Sequence, residues 1–155
     1  MEENKLSQEE QKATIMINDL YKSYGDKDVL TGLNLEVYEK ELFGFIGRNG
    51  IGKSTTIDCM IGSKKFSKGE VYISGFDIKK YPLQAKQTFG YVASEPTCYE
   101  EMTGYDYLEF IASIYGLGEE DFNHNYKYLC TRLQFNLEEL SNPISDYSHG
   151  MKQKL

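Results

Sequence analysis

The sequence predicts an α/β fold whose strand-rich first part carries a phosphate-binding loop and whose second part is helical. Three observations predict it. Up to about residue 93 the apolar residues sit in short runs or alternate with polar ones, as strands require. A glycine-rich segment at residues 47–54 lies between an apolar run and a stretch suited to a helix. Beyond Thr103 the apolar residues recur with the 3.6-residue period of helices.

Each element has its own signal. Residues 1–12 are polar and charged and read as a frayed terminus. Residues 13–93 then read as a β-rich core, and residues 94–155 as a loop and helical subdomain. From Thr14 to Leu20 the apolar residues are β-branched or long, which suits a strand. Leu33, Leu35 and Val37 alternate with Asn34, Glu36 and Tyr38, the pattern of a half-buried antiparallel strand. Residues 42–46, Leu-Phe-Gly-Phe-Ile, are apolar without alternation and suit a strand covered on both faces. Lys53 to Ile61 forms a helix closed by Gly62. Val71 and Ile73 make a short strand between Gly69 and Gly75, and Phe89 to Val92 make another. Thr103-Gly104-Tyr105-Asp106 fits a capping box. The helix it opens puts Tyr107, Leu108, Ile111, Ala112 and Tyr115 on one face. A second helix does the same with Phe122, Tyr126, Leu129, Cys130 and Leu133. Both stripes read as core packing.

Composition narrows the function. The 155 residues carry a formal net charge of -7. A protein that holds nucleic acid by its phosphates usually presents a basic face, so nucleic acid is disfavoured as a partner. Lys64-Lys65 and Lys79-Lys80 read as solvated loop charges. Cys59, Cys98 and Cys130 are odd in number and widely spaced, which argues against a disulfide framework or a zinc site and for reduced thiols in the cytosol. The N-terminus lacks the basic and apolar regions of a signal peptide. The apolar stretch near Leu108–Leu117 is too short to span a bilayer, so any membrane link is expected through a partner.

The chemistry is carried by Gly47-Arg48-Asn49-Gly50-Ile51-Gly52-Lys53-Ser54, which matches G-x-x-x-x-G-K-[ST] in full. Such a loop wraps phosphates with inward N–H groups, so glycine is needed where φ is positive or a Cβ would clash. The helix that follows aims its positive end at the same phosphates. Lys53 is the candidate cation for the β- and γ-phosphates, Ser54 the candidate Mg²⁺ ligand, and Thr55 a hydrogen-bond donor on the α-phosphate side. Asn49, Gly50, Ile51 and Gly52 complete the cradle. The cofactors expected are ATP and Mg²⁺.

The segment from Tyr24-Gly25 through Val29-Leu30, Leu33-Asn34-Leu35 and Phe43 to Thr55 resembles the opening of an ABC transporter ATP-binding subunit. The resemblance runs from about Ile15 to Leu155. It implies a P-loop ATPase fold of the ABC type, with an antiparallel β subdomain and a helical signature subdomain. It also implies that Tyr24 stacks on adenine. Gly90-Tyr91-Val92-Ala93-Ser94-Glu95-Pro96 resembles the family's Q-loop, with Ser94 where a metal-sensing glutamine is usual. Serine is shorter and reaches a metal only through water, and Glu95 is the alternative for that role. Tyr147-Ser148-His149-Gly150-Met151 resembles the signature motif. Ser148 and Gly150 are kept, whereas Tyr147, His149 and Met151 depart from the usual Leu-Ser-Gly-Gly-Gln. In the family this motif faces the γ-phosphate of ATP held by a second subunit in a head-to-tail dimer.

The resemblance further implies a transmembrane permease as partner, a peripheral place at the cytoplasmic face of the membrane, and a lean toward efflux of antibiotics, lipids or ions. The family's magnesium-binding aspartate, catalytic glutamate and switch histidine normally follow the signature motif. None has a match here, and His124 and His149 do not fit the switch position. The later sheet strands are therefore expected to be missing, and this chain to be inactive alone. Two other readings stand beside this one: a non-catalytic nucleotide-binding or regulatory module, and a P-loop kinase acting on a small molecule. The strand-rich segment before the loop counts against the kinase.

Overall fold

A computed structural model describes residues 12–155. The expectation for residues 1–12 falls, except for Lys12, outside the described residues. The chain divides into two compact units, which meet in sequence between Tyr91 and Val92.

The first unit is built on an antiparallel sheet in the order β2-β1-β3-β4. Strand β1 spans Ala13–Tyr24, β2 Lys27–Tyr38, β3 Lys68–Ile73 and β4 Phe76–Asp77. The alternation at Leu33, Leu35 and Val37 lies in β2, opposite Leu20, Ile17 and Ile15 of β1. Ile17, Leu20 and Val71 are fully buried and pack with Leu30, Ile73 and Ile78 into one core. Helix α1, Lys53–Met60, adds Cys59 to that core, with the Thr56 hydroxyl bonded back to Gly52 O at 2.9 Å. Gly62 follows the helix at φ 74 and donates to Cys59 O, closing it as expected. A short helix α2, Pro82–Lys86, buries Ala85 against the same core.

Two expected strands are not formed. Residues 42–46 are irregular, with Leu42 and Ile46 almost wholly exposed. Residues 89–92 are likewise irregular, with Tyr91 and Val92 exposed. A strand needs a neighbour for its N–H and C=O groups, and among the described residues neither segment has one. Apolar composition alone does not make a strand.

The second unit contains α3 (Gly104–Ile114), α4 (Glu119–Arg132) and α5 (His149–Lys154), with two short 3₁₀ turns at Leu137–Ser141 and Ile144–Asp146. The Thr103 hydroxyl caps α3 by accepting from Asp106 N–H at 3.1 Å. Tyr105 of α3 meets Phe122 and Tyr126 of α4 edge-on, each at 5.6 Å between ring centres. Cys130, Phe135, Leu140, Ile144 and Tyr147 form the core. The predicted stripes are only partly enclosed. Tyr115, Leu129 and Leu133 are exposed and line an apolar cleft of about 230 Å³.

Candidate nucleotide-binding site

The glycine-rich loop precedes α1 and shapes a cavity of about 380 Å³. Its wall is Val29, Asn49, Gly50, Gly52, Lys53, Ser54 and Thr55. Gly50 has φ 80 and Gly52 φ 104, the left-handed region that side chains resist. At Gly52 a Cβ would also stand 2.8 Å from Leu30 Cδ2 and 3.2 Å from Val29 O. The loop can therefore enter the helix this closely to β2 only with glycine there.

The main-chain polarity points the same way. The Thr56 N–H donates to Gly52 O at 2.8 Å, the first bond of the helical ladder. The N–H groups of Lys53, Ser54 and Thr55 thus have no carbonyl one turn back within the helix. They form, with the helix dipole, a region attractive to anions. Lys53 Nζ donates to Gly47 O at 2.6 Å and to Arg48 O at 2.8 Å, which folds the ammonium over the loop. Ser54 is exposed on the cavity wall. One cation, N–H donors and two hydroxyls, those of Ser54 and Thr55, make a donor set suited to a polyphosphate with a hard metal ion. Among the described residues no carboxylate stands on this wall.

The other expected residues are distributed as follows. Tyr24 ends β1 with its ring 44% exposed, and it is not on the cavity wall. Lys22 Nζ lies 4.7 Å and Lys64 Nζ 5.8 Å from its ring centre. Lys22 lies two residues before Tyr24 on the same strand and so on the same face, whereas Lys64 had no signal in the sequence because it lies far along the chain. Ile51 is exposed and off the wall. Val29 is on the wall but was not singled out. Its signal is its place in β2 beside Leu30, whose side chain limits Gly52.

In the second unit, Ser94 is exposed, and its main-chain oxygen accepts from Gln153 Nε2 at 3.5 Å. The Ser148 hydroxyl caps α5 by accepting from Met151 N–H at 3.2 Å. Gly150 is exposed, with no heavy atom within 4 Å of where a Cβ would stand. Tyr147 is buried, and its hydroxyl donates to Glu139 O at 2.6 Å. Its ring packs on Phe135 at 5.7 Å between centres. A Cβ at Gly104 would stand 2.1 Å from that hydroxyl, so the two positions fit only as a pair.

The family model described as ABC transporter matches residues 30–155, which include the loop, all of its cavity wall but Val29, and the α5 cap. The chain belongs to the ABC transporter family. Among its relatives is an ABC transporter ATP-binding protein of Bacillus subtilis, YthP, 35% identical over 129 residues, covering 83% of this chain and 50% of the relative. The linearmycin resistance ATP-binding protein LnrL of the same species is 29% identical over 141 residues, covering 91% of this chain and 45% of the relative. A solved ATP-binding subunit of an ABC transporter superposes with a TM-score of 0.79 at 32% identity, over 91% of this chain and 58% of that one. The fold is therefore that of an ABC ATP-binding subunit in part, since the chain spans about half the length of the curated relatives it matches. No helix among the described residues is long and apolar enough to cross a membrane.

Proposed function

We propose that this chain is the nucleotide-holding part of an ABC ATP-binding subunit, and that in the whole protein MgATP binding and hydrolysis energise transport through a permease. The observation that carries this reading is the cavity at Gly50–Thr55. It combines left-handed glycines, a helix N-terminus, Lys53 and Ser54 in a chain of that family. In this reading Lys53 leaves the Gly47 and Arg48 carbonyls for the β- and γ-phosphates. Asn49, Gly50, Ile51 and Gly52 present N–H groups to them, and Thr55 serves the α-phosphate side. Ser54 would hold Mg²⁺, which would supply positive charge to offset that of the phosphates. Tyr24 stacks on adenine. Ser94 approaches the metal side through water. Ser148 and Gly150 act on a nucleotide held by a second subunit, head to tail.

Hydrolysis needs a carboxylate or similar group to align the attacking water. The cavity wall has none, which supports the view that this chain alone binds nucleotide without useful turnover. That observation also favours the second reading, a non-catalytic nucleotide-binding module. The relative LnrL is a resistance protein by name, which supports export over import. In the whole protein the subunit would lie at the cytoplasmic face of the membrane beside its permease.

Calorimetric titration with MgATP, paired with a phosphate-release assay on the same sample, tests this. Saturable binding with release at the background rate is expected. Absence of binding would remove the reading. Steady turnover that is lost in Lys53→Ala would refute the claim of inactivity and direct the search for a base to Glu95, Glu100 and Asp106.

A further inference from the structure

The lysines that read as scattered loop charges converge in the first unit. Lys64, Lys65 and Lys79 stand around one cavity of about 410 Å³, away from the phosphate loop. Its other walls are Phe66, Ile78 and Pro82, and the buried Cys59 lines it as well. The interior is mostly apolar, whereas the three ammonium groups are exposed. The volume lies within the range of small-molecule pockets, about 300–1,000 Å³.

Two further observations bear on what it would hold. Lys79 Nζ lies 3.8 Å above the centre of the Phe66 ring, which keeps that cation over the apolar wall. Among the described residues, Lys64, Lys65 and Lys79 form no ion pair, although the nearby Lys68 pairs with Asp19 and Lys80 with Asp77. In a chain of net charge -7, three cations that pair with no carboxylate among the described residues, set around an apolar hollow, are complementary to an anion with an apolar body. We propose that this cavity binds a single-tailed anionic amphiphile, its carboxylate bridging Lys79 and the Lys64-Lys65 pair and its tail lying against Phe66, Ile78 and Pro82. The cavity shares no lining residue with the phosphate cavity, although Lys64 also stands 5.8 Å from the centre of the Tyr24 ring, the proposed adenine contact.

The test is calorimetric titration of the full chain with decanoate below its micelle concentration, beside decanol and acetate. Decanoate should bind at least about tenfold more tightly than either, since one has the tail without the charge and the other the charge without the tail. The triple variant Lys64→Gln, Lys65→Gln, Lys79→Gln should lose about tenfold or more in decanoate affinity. Its thermal unfolding should match the parent, because all three side chains are exposed. Magnesium triphosphate, which lacks the base, should leave the decanoate isotherm unchanged. The proposal fails if the triple variant binds decanoate as the parent does, or if decanol binds equally well. It also fails if magnesium triphosphate displaces decanoate, or if the chain ignores monomeric decanoate and binds only vesicles of anionic phospholipid.

Discussion

At Gly52 two constraints meet in one residue: φ is 104, and a Cβ would press on Leu30 from 2.8 Å. Gly52→Ala should therefore destabilise the first unit by about 1–3 kcal/mol, combining backbone strain with overpacking. It should also weaken MgATP binding, and urea unfolding beside calorimetry reads both effects. Gly50 has φ 80 but open space around it, so Gly50→Ala should cost less stability than Gly52→Ala. Tyr24 permits a sharper test of base recognition. If its ring stacks on adenine, Tyr24→Ala should weaken ATP by about five- to hundred-fold, from stacking worth roughly 1–3 kcal/mol, while Tyr24→Phe should bind normally. Equal losses would assign the contact to the hydroxyl instead. The residues of the loop were legible in the sequence because phosphate chemistry fixes their types and spacing. Lys64 beside Tyr24 was not, because only the fold brings it there.

Among the elements, the segment before α5 shows how a departure from the family pattern is accommodated. Tyr147 stands where leucine is usual and fills the second core, with its hydroxyl on Glu139 O. Room for that hydroxyl exists because residue 104 is glycine. Gly104→Ala should cost about 2–4 kcal/mol, and Tyr147→Phe in the same chain should recover part of it, an interaction that a double-mutant cycle on unfolding measures. Tyr147 also gives a pH dependence. Burial raises its phenol above the ordinary tyrosine value, and the nearby Glu139 adds to this. A raised folded value means that its stabilisation is complete below pH of about 10 and is lost as pH rises through the folded value. Unfolding free energy should therefore fall more steeply at high pH in the parent than in Tyr147→Phe. The caps at Thr103 and Ser148 and the alternation in β2 were legible, because these signals are local. The strands expected at 42–46 and 89–92 were not realised. A strand buried on both faces is specified by its neighbours as much as by its own residues, and the described residues supply none.

For the molecule as a whole, exposed apolar surface is the governing feature. Leu42, Phe43 and Ile46 lie open in the first unit, and Tyr115, Leu129 and Leu133 line the cleft of the second. Each such side chain forfeits roughly 1.5–3 kcal/mol relative to full burial. The isolated chain should therefore self-associate at high concentration, which light scattering against concentration reads. Leu42→Ser with Ile46→Ser should reduce it without lowering the melting temperature, because neither residue packs in the core. The central claim is that the loop cavity holds the phosphates of MgATP through Lys53. The measurement that tests it most directly is calorimetric titration of MgATP into the chain and into Lys53→Ala, with circular dichroism showing the two equally folded. Saturable binding is expected in the parent and none in the variant. Equal affinity in the two would contradict it.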